Sequence, residues 1–149
     1  MDTRTSTPAT TLRLARTFAA PREKVFKAWT EPEALKRWWG PHGFETPSAE
    51  LDLRPGGAYR FGMRKLPDGQ VFYLTGTYRE VQPPERLVYT SRWEAEPELG
   101  ETLVTVEFRD AGGGRTEVRL THELFPSEKV RDDHNKGWSG CLDRLAGAL

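Results

Sequence analysis

The chain is nearly devoid of cysteine: Cys141 is the only one in 149 residues. A lone thiol excludes an intramolecular disulfide framework and agrees with a reducing compartment. Its place on the apolar stripe of a helix marks a buried structural thiol and not a nucleophile, because burial raises a thiol pKa. Net charge is missing too, since 22 Lys and Arg balance 22 Asp and Glu. No half of the chain collects a long run of one sign, so nucleic acid and anionic membrane surfaces are disfavoured as partners. No apolar stretch approaches the ~18 residues that a spanning helix needs, and membrane insertion is not expected. The histidines are only three, His42, His122 and His134. With one cysteine beside them they lack metal-ligand spacing, and neither a metal nor any other cofactor is expected. Gly112-Gly113-Gly114 leads into a strand and not a helix N-terminus, so it reads as a hairpin turn and not a phosphate cradle. Ser139-Gly140 falls inside a helix, where a nucleophile elbow cannot form.

What is present is enough for one domain with a real core. A hydrophobic fraction of 36% beside 30% charged residues is a soluble globular mixture. Met1 to Thr11 is polar and rich in threonine, with no apolar h-region. It reads as a flexible N-terminal arm and not as a secretion signal, which makes the cytoplasm the default compartment and leaves residues 12–149 as the domain.

Leu12, Leu14 and Phe18 alternate with polar or small residues, the period-two pattern of a half-buried strand over 12–18. Arg16 shares their parity and either snorkels out or offers a cation to a cavity. Ala20-Pro21 opens a short helix with Val25, Phe26 and Trp29 on its buried face. Thr30-Glu31-Pro32-Glu33 has the spacing of a capping box and predicts a second short helix, stopped by Gly40-Pro41. That helix is expected to carry Trp38 and Trp39 on its last turn, forming with Leu35 a broad apolar edge suited to a cavity wall. From Phe44 to Leu124 the turn sequences Arg54-Pro55-Gly56-Gly57, Pro67-Asp68-Gly69, Gln82-Pro83-Pro84-Glu85 and the Gly112 to Gly114 hairpin set off strands. These fall near 45–53, 58–65, 71–81, 87–94, 102–109 and 116–124. Short connections make them an antiparallel meander, joined by the first strand as a seventh. Ser127 is a plausible N-cap for one long C-terminal helix with the stripe Val130, His134, Gly137, Trp138, Cys141, Leu142, Leu145 and Leu149.

This order of elements resembles the helix-grip fold of the SRPBCC, START and birch-pollen-allergen superfamily. More narrowly, six motifs in one order resemble the AHSA-like family named after the activator of the Hsp-90 ATPase. They are Ala20-Pro21-Arg22-Glu23-Lys24-Val25-Phe26, Thr30-Glu31-Pro32-Glu33, Trp38-Trp39-Gly40-Pro41, Gly56-Gly57, the run from Gly76 through Tyr78 to Val88, and Gly137-Trp138. The resemblance implies an α+β fold: a curved seven-stranded antiparallel sheet around the long helix, a hydrophobic cavity between them, and the short helices closing one end.

Alternation indicates what would line such a cavity. Tyr59, Phe61 and Met63 share one parity, as do Leu87, Tyr89, Ser91 and Trp93. The last two strands add Val104, Val106 and Phe108, then Val118, Leu120, His122 and Leu124. Mostly bulky apolar residues with a few polar ones compose a small-molecule pocket. The expected ligand-binding set is Trp38, Trp39, Tyr59, Phe61, Met63, Tyr89, Trp93, Phe108, Leu120, His122, His134, Trp138 and Cys141. Gly137 and Gly140 each cost a helix about 1 kcal/mol relative to Ala, which points to backbone approach or cavity room.

Three functions compete. The leading one is binding of a small hydrophobic or aromatic molecule, by a monomer or homodimer. The second is a cyclase- or hydrolase-like enzyme in which His122, His134, Arg16 or Tyr89 positions a carbonyl and exchanges a proton. The third, implied by the family resemblance alone, is a co-chaperone of an Hsp-90-type partner, although the chain lacks the additional N-terminal domain of the eukaryotic activator.

Overall fold

The computed structural model describes residues 6–149. Strand β1 (Leu12–Phe18) is followed by helices α1 (Arg22–Thr30) and α2 (Pro32–Trp38). Six strands come next: β2 (Phe44–Leu51), β3 (Ala58–Lys65), β4 (Val71–Gln82), β5 (Arg86–Trp93), β6 (Thr102–Gly112) and β7 (Arg115–Glu123). The long helix α3 (Glu128–Ala148) closes the chain. The sheet order is β1-β7-β6-β5-β4-β3-β2 and all six pairings are antiparallel. The meander therefore runs from one edge to the other, while the β1 to β2 connection carries α1 and α2 across the full width. This is a curled half-barrel wrapped on α3, the α+β helix-grip-like architecture expected from the element order.

Period-two alternation builds the concave face. Thr102, Val104, Val106 and Phe108 of β6 are buried, as are Thr116, Val118, Leu120 and His122 of β7. Leu124 departs from that repeat. It has a left-handed backbone with φ of +71°, an uncommon state for a branched side chain, and the next residue, Phe125, takes the buried place instead. From α3 come Trp138, Cys141, Leu142 and Leu145, with Gly140. Ser127 is the N-cap of α3, its Oγ accepting from Val130 N–H at 3.2 Å.

The first expected capping device is absent. Glu31, not Thr30, precedes α2, and no side chain caps it. Thr30 lies inside the end of α1 and its hydroxyl donates to the Phe26 carbonyl at 2.9 Å, a local bond that competes with capping. Glu33 pairs with Lys36 one turn on. The start of α2 rests instead on Pro32 at its first position, where the missing N–H is no loss. The helix also ends earlier than expected: Trp39 is extended, with φ of −66° and ψ of 138°, so only Leu35 and Trp38 share a helical edge. Of the N-terminal arm, Met1 to Thr5 lie outside the described residues. Pro8–Thr10 forms a short 3-10 turn, and Arg131 of α3 donates to the Pro8 carbonyl at 3.1 Å, so this part is docked and not loose.

Leu145 has no solvent exposure, and truncating a buried leucine removes transfer energy and leaves a cavity. Leu145→Ala is expected to lower unfolding stability by about 2–5 kcal/mol. Urea denaturation should show a lower midpoint at unchanged slope; an unmoved midpoint would contradict the seating of α3.

Candidate functional site

A cavity of about 320 Å³ lies between the middle of α3 and β3, β4, β5 and β7, and opens to solvent. Its walls are Met63, Phe72, Leu74, Ser91, Trp93 and His122 from the strands, with Ala95 and Glu96 beyond β5. Asp133, His134, Gly137, Trp138 and Cys141 of α3 face them, and Trp39-Gly40-Pro41 after α2 forms one end. The lining is mostly apolar, with three indoles and two imidazoles.

Of the thirteen residues expected to bind ligand, Trp39, Met63, Trp93, His122, His134, Trp138 and Cys141 border this cavity. Trp38, Tyr59, Phe61, Tyr89, Phe108 and Leu120 do not; they are packed in the core. Trp38 is fully buried, packs tilted against Trp29 at 4.7 Å between ring centroids and donates to the Ala28 carbonyl at 2.8 Å. Tyr59 and Tyr89 meet edge to face at 5.5 Å, Tyr59 donating to the Thr90 carbonyl at 2.6 Å and Tyr89 Oη accepting from Trp29 Nε1 at 3.5 Å. Parity identified the correct face of each strand, but that face is longer than the cavity, and its other end is filled by α1 and α2. Arg16 is not in the cavity either. It pairs with Asp143 on α3, which His42 Nε2 also approaches at 3.6 Å.

The two inward histidines are held by complementary bonds. Trp138 Nε1–H donates to His122 Nδ1 at 3.0 Å, so the proton of the neutral ring is on Nε2, 2.7 Å from Thr102 Oγ1. Thr102 in turn donates to the Ser91 carbonyl at 3.0 Å. His134 has the opposite tautomer: Nε2 accepts from Trp93 Nε1–H at 3.1 Å, leaving Nδ1–H to donate to the Val130 carbonyl at 2.9 Å. Protonating either ring would set two N–H groups against each other. Burial pushes both pKa values down, that of His122 well below the ordinary imidazole value and further through the adjacent His134, whose centroid is 5.5 Å away. Neither ring offers a free lone pair for proton abstraction. The Cys141 thiol is pushed up to about 12 by burial and stays protonated. Among the described residues no three His, Cys, Asp or Glu side chains gather as a metal set, and no helix is long and apolar enough to cross a membrane.

Phe72, Leu74, Ala95, Glu96 and Asp133 line the cavity yet escaped sequence reasoning, as did Arg144, which supports one end of it. Phe72 and Leu74 alternate correctly on β4, so parity could have found them. Arg144 had no such signal: its Nη1 donates to the carbonyls of Trp39, Gly40 and Phe44 at 3.3, 2.8 and 3.2 Å, and Nη2 to Arg37 at 3.3 Å. A cation on the carbonyls past a helix C-terminus is favoured by the macrodipole, and here it pins the Trp39-Gly40 end of the cavity to α3. The two glycines of α3 divide the roles expected for them. A Cβ on Gly140 would come within 3.1 Å of Pro41 Cβ, which is backbone approach, whereas a Cβ on Gly137 would meet nothing within 4 Å.

Residues 19–149 match the family model described as activator of Hsp90 ATPase homolog 1-like protein. A solved structure from Chromobacterium violaceum is similar at 30% identity and a TM-score of 0.80, covering 93% of this chain and 96% of that one. A protein of Nitrosomonas europaea is similar at 26% identity and a TM-score of 0.80, with 96% of both chains covered. The AHSA1 protein of Silicibacter pomeroyi is similar at 27% identity and a TM-score of 0.81, with 92% and 95% covered. No curated protein matches.

A depressed histidine pKa in the folded state means that the unfolded chain binds more protons at mildly acid pH. The stability held by neutral His122 and His134 is thus fully present above the unfolded pKa of about 6.5, and is lost as pH falls below it toward the folded values. Urea midpoints are expected to decline from pH 7.5 to pH 5, while the ring protons of His122 show no titration near 6.5 by NMR. A His122 titration centred at the free-imidazole value would refute the buried relay.

Proposed function

For a chain that belongs to the family of activator of Hsp90 ATPase homolog 1-like proteins, we propose reversible binding of a small hydrophobic or aromatic molecule in the cavity between sheet and α3. The observation that carries this reading is Gly137. Glycine inside a helix costs about 1 kcal/mol relative to alanine, and no protein atom lies where a Cβ would project. Internal packing therefore does not demand a glycine here, and the position leaves open room beside the helix backbone, in a cavity already walled by Trp39, Trp93 and Trp138. The ring faces supply large contact area, and displacing water from such a lining favours association by roughly 25 cal/mol per Å² of apolar surface removed from water, before the cost of immobilising the ligand.

The hydrogen bonding of the site favours binding over proton transfer. All four nitrogens of His122 and His134 are engaged, Arg16 lies in an ion pair with Asp143, and Tyr89 stands in the core. A base that must first surrender an indole partner is poorly placed for general catalysis, which needs a lone pair aimed at the substrate proton.

The neutral dye N-phenyl-naphthylamine is expected to bind with enhanced fluorescence and to shift the indole N–H resonances of Trp93 and Trp138. Gly137→Ala should raise stability by about 0.5–1 kcal/mol, since the added methyl is accommodated and the helix gains propensity. Gly137→Phe should fill the cavity and reduce dye binding at least tenfold with the fold retained by circular dichroism. Equal dye binding by wild type and the folded Phe variant would place the ligand elsewhere.

A further inference from the structure

Four of the five tryptophans spend their indole N–H on another residue of the protein. Trp29 donates to Tyr89 Oη, Trp38 to the Ala28 carbonyl, Trp93 to His134 and Trp138 to His122. Trp39 is the exception among the described residues. Its ring is 7% exposed and packs on Phe61 at 5.4 Å and Trp93 at 6.3 Å between centroids, yet its Nε1 has no hydrogen-bond partner. Among the described residues no fully occluded side-chain nitrogen or oxygen lacks a partner, so the Trp39 N–H has access to open space, and Trp39 borders the cavity. A donor at the edge of a mostly buried ring that no protein group engages is free to meet an acceptor brought into the cavity.

The charges around the cavity narrow the chemistry further. Among the described residues its ionisable groups are the exposed carboxylates Glu96 and Asp133, the two histidines and the Cys141 thiol, and no lysine or arginine lines it. Burial keeps the histidines neutral and the thiol protonated. The nearby Arg144 guanidinium is committed to four backbone carbonyls. An anionic head would meet rim carboxylates and no cation, which disfavours carboxylates such as fatty acids.

We infer that the ligand is an uncharged apolar or aromatic molecule carrying a hydrogen-bond-accepting oxygen, a ketone, quinone or ester carbonyl, that receives the indole N–H of Trp39. This rests on the cavity being the binding site. Trp93 and Trp138 are occupied, so of the three indoles walling the cavity Trp39 alone offers its N–H to an oxygen, and the histidine relay stays undisturbed. Trp39 is a binding residue whose ring forms the wall and whose N–H selects.

Fluorene and fluorenone share one flat skeleton and differ by a carbonyl, and water favours the more polar ketone, so simple partition would favour fluorene in the cavity. Binding is read by displacement of N-phenyl-naphthylamine and by the indole N–H resonances of uniformly nitrogen-15-labelled protein. Wild type is expected to bind fluorenone about three- to tenfold more tightly than fluorene, the range of one neutral hydrogen bond. The Trp39 N–H resonance should move downfield with fluorenone and not with fluorene. Trp39→Phe should abolish the preference, weakening fluorenone more than fluorene, since both lose wall area and only the ketone loses the N–H. Equal affinities in wild type, an unmoved Trp39 resonance on fluorenone binding, or equal weakening of both compounds by Trp39→Phe would overturn the inference while leaving the cavity as the site. Failure of both compounds to displace the dye, with Trp93 and Trp138 resonances unmoved, would overturn the site and the inference together. The wild-type resonances decide the matter even where the Phe variant folds poorly.

Discussion

A line of three hydrogen bonds, from the Trp138 indole through His122 and Thr102 to the Ser91 carbonyl, ties α3 to β7, β6 and β5 in turn. Each donor has one acceptor and each acceptor is used, so the line has one direction and one tautomer. Because it is buried, breaking any link would leave an unpaired polar group in apolar surroundings, a far larger loss than the net gain of forming one bond in water. The helix is thereby held at one height above the sheet. Below the line, Leu142 and Leu145 fill the space against the strands with α1 and α2; above it, Gly137 and His134 stand back and the cavity remains.

The tryptophans show how the same residue type is divided between stability and recognition. Trp29 and Trp38 are core residues that close the half-barrel at the end covered by the short helices. Trp93 and Trp138 form cavity walls whose N–H groups orient the two histidines. Trp39 forms a wall with its N–H uncommitted. What separates Trp38 from Trp39 is one backbone step: α2 ends between them, and the extended conformation of Trp39 sends its ring toward β3 and β5 and not toward α1. Gly40, with φ of +96°, permits the turn that follows, and Arg144 holds its carbonyls in place.

The short helices and the C-terminal half of α3 thus cooperate in a single wall. Gly140 lets α3 approach Pro41 closely, and Arg144, one turn further along α3, binds the free carbonyls at the end of α2. The contact is polar at one end and steric at the other, which fixes both the distance and the rotation of the Trp39-Gly40-Pro41 segment against the helix.

Strand number, order and parity, the long α3 with its Ser127 cap, and the inward setting of His122 and His134 were all legible in the residues. Each follows from local periodicity or turn chemistry, which the chain carries wherever it folds. The sequence likewise marked Gly137 and Gly140 as costly for a helix, without saying which served room and which served approach. One thing was decided by a local competition that the spacing left open, and two by tertiary structure. The Thr30-Glu33 capping box did not form, because the Thr30 hydroxyl found the Phe26 carbonyl nearer. Tyr59, Phe61, Tyr89, Phe108 and Leu120 share parity with cavity residues yet lie in solid core, since parity names a face and only the packing of α1 and α2 decides which part of that face is covered. The pairing of four indole N–H groups joins residues 10 to 60 positions apart, and no local pattern in a chain encodes which acceptor beyond its own element a side chain will meet.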